Sequence, residues 1–179
     1  MRKLLVFDLD ETIIHATEEP LERSENFRLA QYYVYCRPHL SELLRFCFDH
    51  FLVAVWTSAS ADYATAIVAN TISPIGTPEF VWDRDRCTYR YSHETRDYHW
   101  VKDLRKIKNK GYPLEHVLFV DDSPEKLERN YGNHVRISKY SGEETDDELK
   151  RLMLYLPNLI DVENVRKIEK RGWQRRFAK

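Results

Sequence analysis

The feature that most constrains this fold is a repeated pattern in which a short apolar run ends in acidic or hydroxyl residues. Such runs lie at residues 4–9, 51–56 and 117–120, and each is typical of a strand buried on both faces. Apolar residues at helical spacing precede the second run at 38–50 and follow it at 61–72. Strands that alternate with helices predict an α/β fold, in which helices flank a parallel sheet and residues 135–137 add a fourth strand.

The polar residues that end these runs predict a site at one edge of the sheet. In open α/β sheets, ligands bind beyond the carboxyl ends of the parallel strands. If the three strands are neighbours, the carboxylates of Asp8, Asp10, Asp121 and Asp122 converge with the hydroxyl of Thr57. Close carboxylates raise one another's pKa unless a cation neutralises them. Hard oxygen ligands in this number favour Mg²⁺, which also accepts a substrate phosphate oxygen.

The same residue types predict phosphoryl transfer. A carboxylate is an effective covalent nucleophile, and the charge that develops on the phosphoryl oxygens needs cations and oriented donors. Thr57, Ser58 and the amides that follow them supply donors, and Lys102 supplies a cation. Because side chains alternate along a strand, Asp8 and Asp10 either share a face or separate where the strand ends. One of the two carboxylates then attacks while the other handles protons.

The rest of the chain is organised around this α/β unit. Its 179 residues predict one domain over 1–179. Alternating polar and aromatic residues at about 80–100 predict a small antiparallel β insertion. The apolar pattern at about 144–179 predicts a helical C-terminal segment, which Pro157 divides. The last part is rich in Lys and Arg, which we interpret as a solvated helix face, with a functional basic patch as the alternative.

Composition limits the classes of partner. The 28 basic and 29 acidic residues give a net charge of −1, which argues against a wholly basic nucleic-acid binder. No apolar run approaches the ~20 residues that span a bilayer, so we expect no membrane association. Three cysteines without CxxC spacing disfavour a disulfide framework and a zinc site. Reduced thiols predict a cytoplasmic protein, or a nuclear one in a eukaryote, and the oligomeric state stays unknown.

Taken in order, the motifs resemble a known superfamily, the haloacid dehalogenases. Within it the chain is similar to the FCP/SCP-type, NLI-interacting-factor-like phosphatases, which act on a protein carboxy-terminal domain. The matching segments are DLDETIIH at 8–15, RPHL at 37–40, WTSA at 56–59, VKDL at 101–104 and VDDSP at 120–124. The resemblance implies a haloacid dehalogenase fold, and the interval between Thr12 and Thr57 leaves no room for a large cap.

The resemblance also implies a role for each matching residue. It implies that Asp8 is the nucleophile and a metal ligand, and that Asp10 is the general acid and then the base. It implies that Thr12 supports the first loop and that Thr57, Lys102 and Arg90 bind the phosphate. The metal would be bound by Asp10, Asp121 and Asp122 as well. Asp10 would reach the metal through its backbone carbonyl. Many small members of the family have Asn where Asp122 stands, so the choice of direct ligand between Asp121 and Asp122 stays open.

An open site of this kind favours a phosphate on a large molecule. We therefore expect a Mg²⁺-dependent phosphomonoester hydrolase that acts through an aspartyl-phosphate, on phosphoserine or phosphothreonine in a phosphorylated protein or peptide. Three alternatives remain. The fold can serve as a non-catalytic scaffold, the chain can be a response-regulator receiver, or the basic tail can direct the enzyme to nucleic-acid ends. The order of the motifs argues against the receiver.

Overall fold

The computed structural model describes residues 2–92 and 96–177, except for the Ser92 side chain. Along the chain the strands and helices are β1 (Leu4–Phe7), β2 (Ile14–Thr17), β3 (Phe27–Leu29), β4 (Tyr32–Cys36), α1 (Leu40–His50), β5 (Leu52–Trp56), α2 (Ala61–Thr71), β6 (Val81–Trp82), β7 (Thr88–Ser92), β8 (Asp97–Val101), α3 (Arg105–Asn109), β9 (Val117–Asp121), β10 (His134–Arg136), α4 (Glu148–Tyr155) and α5 (Pro157–Ile160). The predicted α/β fold is confirmed.

A five-stranded parallel sheet lies at the centre, in the order β10-β9-β1-β5-β6. Strand β1 pairs with β5 on one side and with β9 on the other, so the ends of the three predicted runs are neighbours. Phe7, for example, is level with Val55 and with Val120. This register brings the polar residues after each strand to the same edge of the sheet.

Side chains alternate along each strand, so both faces of this sheet carry apolar side chains. Helices cover both faces and bury them. Leu5 and Phe7 lie in the core beneath α1, α2 and α4, whereas Leu4 and Val6 lie in a second core beneath α3. Both cores are closed to water, as expected for a parallel sheet. This burial is what the short, continuous apolar runs encode.

Two small antiparallel sheets flank the central one. One pairs β7 with β8, which confirms the small β insertion. The predicted range of 80–100 was too wide, because β6 within it belongs to the central sheet, and residues 93–95 lie outside the described residues. The other sheet, in the order β2-β4-β3, lies between the first motif and α1. Strand β4 is rich in aromatic and β-branched residues, as is typical of strands, whereas β2 and β3 are short and carry a weak apolar pattern.

The C-terminal segment is helical only in part. After α4 and α5, which Pro157 separates, the described chain continues as irregular structure with 3-10 turns at Val165–Lys167 and Trp173–Arg176. The described basic side chains of this stretch are exposed, apart from that of Lys170, but they lie on 3-10 turns and irregular chain rather than on the predicted helix face. The stretch is anchored, since Trp173 is buried and stacks on Tyr155 with ring centroids 5.0 Å apart.

None of the helices in the described part of the chain is long and apolar enough to cross a membrane. The three cysteines, Cys36, Cys47 and Cys87, are free thiols.

Candidate active site

A tight loop after β1 separates the two carboxylates of the first motif. Asp8 is fully buried, and its amide donates to the carbonyl of Val120 at 3.0 Å. The chain then turns around the Leu9 carbonyl, which accepts from the amide of Ile13 at 2.9 Å. Glu11 has a φ of 61° at this turn, in the left-handed region that few non-glycine residues adopt. The turn sends the Asp10 side chain away from that of Asp8.

Asp8 lies between two lysines. Its Oδ1 is 2.9 Å from Lys102 Nζ, and its Oδ2 accepts from Lys126 Nζ at 3.1 Å. The same Lys102 ammonium donates to Asp121 Oδ2 at 2.7 Å. Lys102 and Asp121 are fully buried, and the Lys126 side chain is 21% exposed. We name Asp8, Asp121, Lys102 and Lys126 the buried charge cluster.

The cluster sets the charge of its carboxylates. Burial alone would raise the pKa of Asp8, but the ammonium groups of Lys102 and Lys126 outweigh it and hold that pKa below its usual value. The lowered pKa favours the anionic form of Asp8 at neutral pH. Burial and the negative charge of Asp8 raise the pKa of Asp121 to about 7, so this second carboxylate is short of positive charge.

A metal ion fits beside this cluster. Oxygens of Asp8, Asp121 and Asp122 all lie within 4.8 Å of one another. Asp8 Oδ1 is buried and accepts no hydrogen bond, since its contact with Lys102 is an ion pair without hydrogen-bond geometry. Three carboxylates with an unused buried oxygen suit a hard divalent cation such as Mg²⁺. Asp10, the fourth predicted ligand, contributes no side-chain oxygen to this group.

Asp10 lies on the other side of β1, towards α2. Its Oδ1 accepts a hydrogen bond of 2.5 Å from the Tyr63 hydroxyl. Burial raises the pKa of Asp10 to about 6, a rise that the Tyr63 hydrogen bond limits and the charge of Asp8 reinforces. A carboxyl group with this pKa can hold and release a proton near neutral pH. The two carboxylates of the DxD motif thus have different surroundings, which shift their pKa values in opposite directions.

The hydroxyl residues lie around the buried charge cluster. Thr12 is buried and its Oγ1 donates to Asp122 Oδ1 at 3.4 Å, so it joins the first loop to the acidic pair. Thr57 follows β5, and its Oγ1 accepts from the Ala59 amide at 3.0 Å. Ser58 is half-buried beside it. The sheet therefore places Thr57 and Ser58 at the same edge as Asp8.

Arg90 is in a different place. It lies on β7 opposite His99 and lines a surface depression with Asp103 and α3. Within the described residues, no hydrogen bond or ion pair joins its side chain to Asp8 or Lys102. The structure does not bring Arg90 to the predicted site.

Sequence reasoning missed two residues, Lys126 and Tyr63, that contact the side chains of Asp8 and Asp10. Lys126 lies in the 3-10 turn Pro124–Leu127, which follows β9, and its carbonyl accepts from the amide of Lys102 at 2.8 Å. That hydrogen bond fixes the two lysines beside each other. The only local signal for Lys126 was its place shortly after the acidic pair. Tyr63 carries no signal beyond helical spacing.

Two cavities open at the sheet edge, one on each side of β1. The first, of about 600 Å³, is lined by Asp10, Glu11, Asp62, Tyr63 and Arg84, among others. The second, of about 1060 Å³, begins at Asp122 and Pro124 and extends past β10 to the C-terminal segment. No large cap closes over the cluster between them in the part of the chain that the structure describes.

Comparison with known proteins supports this arrangement. The chain is 32% identical over 169 residues to CTD small phosphatase-like protein 2 of Dictyostelium discoideum. This alignment covers 90% of this chain and 28% of that protein. It is 27% identical over 168 residues to the human carboxy-terminal domain RNA polymerase II polypeptide A small phosphatase 1, covering 90% of this chain and 60% of that one. The chain thus spans less than two thirds of each of these two relatives.

Solved structures share the fold. The fission yeast RNA polymerase II CTD phosphatase Fcp1, bound to beryllium fluoride, superposes with a TM-score of 0.58 at 18% identity, over 98% of this chain and 54% of that one. This likeness concerns the fold and confirms the haloacid dehalogenase architecture. Residues 3–166 match the profile of the NLI interacting factor-like phosphatases, which confirms the resemblance read from the five motifs. The chain belongs to the NLI interacting factor-like phosphatase family, within the haloacid dehalogenase superfamily.

Proposed function

We propose that this chain is a Mg²⁺-dependent phosphomonoester hydrolase that acts on phosphoserine or phosphothreonine in proteins, through a phosphoryl group carried on Asp8. The observation that supports it most is the state of Asp8. Its carboxylate is fully buried, is held as an anion by Lys102 and Lys126, and lies at the edge of the sheet where substrates bind.

The first half of the reaction uses both carboxylates of the DxD motif. A carboxylate oxygen of Asp8 forms a bond to phosphorus while the bond from phosphorus to the ester oxygen breaks. Asp10 gives its proton to that leaving oxygen, so the alcohol departs neutral. The pKa of Asp10, raised to about 6, suits a group that starts protonated and ends ionised.

The second half regenerates the enzyme. The ionised Asp10 takes a proton from a water molecule, whose oxygen attacks the phosphorus on Asp8. The bond between phosphorus and the Asp8 oxygen breaks, and inorganic phosphate leaves. Asp10 is again protonated and Asp8 is again an anion, so protons and charges balance over the cycle. Lys102, Thr57 and Ser58 supply a cation and hydroxyl donors for the phosphoryl oxygens in both halves.

The metal assignment follows from the donor set. Asp8, Asp121 and Asp122 would hold Mg²⁺, and Asp10 would add its backbone carbonyl. When bound, Mg²⁺ neutralises the carboxylates and the negative charge of the phosphoryl oxygens. Thr12 keeps Asp122 in place through its hydrogen bond.

Openness of the site supports a protein substrate. The two cavities beside β1 reach Asp122 on one side and Asp10 on the other, so a phosphate on a surface side chain can approach the residues that flank the cluster. The names of the relatives point the same way, since several are described as phosphatases of a protein carboxy-terminal domain. We propose the cytoplasm, or the nucleus of a eukaryotic cell, as the place of action.

Hydrolysis of p-nitrophenyl phosphate, with Mg²⁺ and with EDTA, tests the enzyme class. We expect turnover that EDTA abolishes, that added Mg²⁺ restores and that Asp8→Asn removes. Asp49→Asn is the matched control, because Asp49 is an exposed carboxylate on α1 that lines neither cavity. Rapid quenching during turnover of a ³²P-phosphoserine peptide traps label on the wild-type protein and not on Asp8→Asn.

Two results would overturn the proposal. Metal-dependent turnover in folded Asp8→Asn would remove Asp8 as the nucleophile. Folded wild-type protein that is inactive across a pH series, with Mg²⁺ present, would support the non-catalytic scaffold instead. Phosphotyrosine peptides that react better than phosphoserine and phosphothreonine peptides would overturn the substrate class alone.

A further inference from the structure

The larger cavity carries an excess of positive charge. Six cationic side chains line it, and we name it the basic cavity: Arg136, Lys139, Arg166, Lys167, Lys170 and Arg171. Two carboxylates, those of Asp122 and Glu169, also line it. Its volume of about 1060 Å³ is at the upper end of the range for ligand pockets and has room for several amino-acid residues.

Three of these six cations have no partner among the described residues. Glu169 is bound by Arg171, at 2.6 Å, so these two opposite charges largely compensate each other. Lys139 has only a contact of 3.4 Å with Glu11. The side chains of Arg136, Arg166 and Lys167 make no hydrogen bond or ion pair with any residue in the ranges 2–92 and 96–177. Exposed like charges repel one another, so an anionic partner stabilises such a group.

The wall that carries these cations is fixed. The Trp173 indole is buried and donates to the carbonyl of Arg136 at 2.8 Å, and Gln174 donates to the same carbonyl at 3.1 Å. Lys170 is 5% exposed, and its ammonium donates to the carbonyls of Val165 and Ile168. A ligand of the basic cavity therefore meets preorganised charges, which lowers the entropic cost of binding.

The basic cavity adjoins the proposed reaction centre. Asp122 belongs both to the metal-binding group and to the lining of the cavity. The side chains of Tyr131, 83% exposed, and Ile168, 37% exposed, provide apolar surface there. Tyrosine and arginine together are typical of protein-binding surfaces. Residues that flank a phosphoserine in the site will reach this surface on one side.

We propose that the basic cavity binds acidic or additionally phosphorylated residues on one side of the phosphoserine or phosphothreonine in the protein substrate. The inference rests on the proposed function and adds a substrate preference to it. The cavity on the opposite side of β1 carries the opposite net charge, since the charged residues that line it are Asp10, Glu11, Asp62 and Arg84. A peptide can be acidic on one side alone. A polynucleotide is anionic on both sides and would meet those carboxylates.

The experiment uses the full chain and three phosphoserine peptides of equal length. One has alanines on both sides, one has three glutamates before the phosphoserine, and one has three glutamates after it. We expect one acidic peptide to have a KM about tenfold lower than the alanine peptide at low salt, since several exposed ion pairs together amount to about one decade in affinity. Salt weakens that preference.

A pair of matched variants assigns the effect to the cavity. Arg166→Ser with Lys167→Ser removes two unpaired cations, and we expect it to abolish the preference while p-nitrophenyl phosphate turnover is unchanged. Arg45→Ser with Lys150→Ser removes the same charge from exposed positions on α1 and α4, and the preference stays. Two results would overturn the proposal: loss of the preference in both variants, or an equal decrease in KM for both acidic peptides. Either would show that the acidic peptide is attracted by the overall charge of the protein and not by the basic cavity.

Binding without turnover keeps the two proposals separable. A fluorescein-labelled peptide with the favoured glutamates and unphosphorylated serine is followed by anisotropy. If p-nitrophenyl phosphate turnover is absent, the proposed function fails, whereas tight binding that Arg166→Ser with Lys167→Ser abolishes still supports the acidic-ligand site. A 12-nucleotide DNA strand that displaces the peptide at lower concentration than the unlabelled peptide does would overturn the cavity's assignment in favour of nucleic acid.

Discussion

The buried charge cluster and the basic cavity lie next to each other at the same edge of the sheet, yet they use charge in opposite ways. In the cluster, Lys102 contacts Asp8 and Asp121 in a volume closed to water, and each charge has a fixed partner. In the cavity, the cations of Arg166 and Lys167 are exposed and have no partner among the described residues. One region compensates its own charge, and the other presents charge to a ligand.

This difference determines what a substitution does. Removal of one member of a buried pair leaves an uncompensated charge in low dielectric, which costs several kcal/mol. Removal of an exposed cation costs the folded protein little, because water already solvates it. We therefore expect substitutions in the cluster to change stability and chemistry together, and substitutions in the cavity to change only the preference among substrates.

The largest expected effect is that of Lys102→Met. This change keeps the apolar stem but leaves Asp121 without a cation and Asp8 with Lys126 alone. We expect the free energy of unfolding to fall by about 3–5 kcal/mol and phosphatase activity to disappear. Urea denaturation without added metal measures the first, and p-nitrophenyl phosphate hydrolysis the second. Wild-type stability would show that the cluster does not depend on Lys102.

We expect Asp10→Asn to change the rate of the reaction without changing metal binding. Asn cannot transfer the proton, so we expect kcat to fall by about 10²–10⁴-fold. Metal binding stays, since the Asp10 side chain lies outside the metal-binding group. Isothermal titration with Mg²⁺ and steady-state kinetics give the two readouts. A kcat equal to that of Asp49→Asn, the exposed control, would refute the role of general acid.

Lys126→Met removes the cation that sequence analysis missed. Because its side chain is 21% exposed, we expect a smaller loss than for Lys102, about 1–2 kcal/mol in stability, with reduced kcat/KM. Thermal denaturation beside the exposed control Lys150→Met measures the difference. A loss as large as that of Lys102→Met would mean that Lys126 contributes as much as the fully buried lysine.

Lys170 lines the basic cavity but is buried, so the effect of its charge on stability depends on pH. Burial lowers the pKa of Lys170 to about 8, so in the ionised form it destabilises the folded chain. Above that pH the unfolded chain binds more protons than the folded one, and stability rises with pH. We expect the stability of wild type relative to Lys170→Met to rise by on the order of 1 kcal/mol between pH 8 and pH 9. A gap that is constant over this range would contradict the prediction.

The smallest expected effect is that of Arg166→Ser on stability. The guanidinium is exposed and unpaired among the described residues, so the change in unfolding free energy stays within about 0.5 kcal/mol. Urea denaturation measures it. A loss of 2 kcal/mol or more would show that this cation stabilises the fold, and the contrast with the buried charge cluster would fail.

Much of the fold was predictable because its signals are local. Continuous apolar runs encode the buried strands β1, β5 and β9, and helical spacing encodes α1 and α2. The short strands β2 and β3 were missed since a run of three or four mixed residues has no clear period. The C-terminal segment was predicted to be helical, but after α5 it continues as irregular chain that Trp173 anchors to Tyr155, a tertiary contact without a local pattern.

Part of the candidate site was predictable for the same reason. Asp8, Asp121 and Thr57 each follow a recognisable strand, so the topology alone brings them together. Lys126 and Tyr63 were not predictable, because their contacts depend on the exact position of a turn and a helix relative to β1. Arg90 was predicted across a variable segment, and its place depends on how the β7–β8 hairpin packs.

The sequence by itself determined the α/β alternation, the parallel sheet and the set of acidic residues at its edge, since hydrophobic periodicity and strand ends are written along the chain. Only the tertiary structure decided the charge of each carboxylate. Asp8 and Asp10 are two residues apart, yet one contacts two ammonium groups and the other a phenol hydroxyl. A pKa depends on burial and on charges within a few ångströms, and those neighbours come from distant parts of the chain.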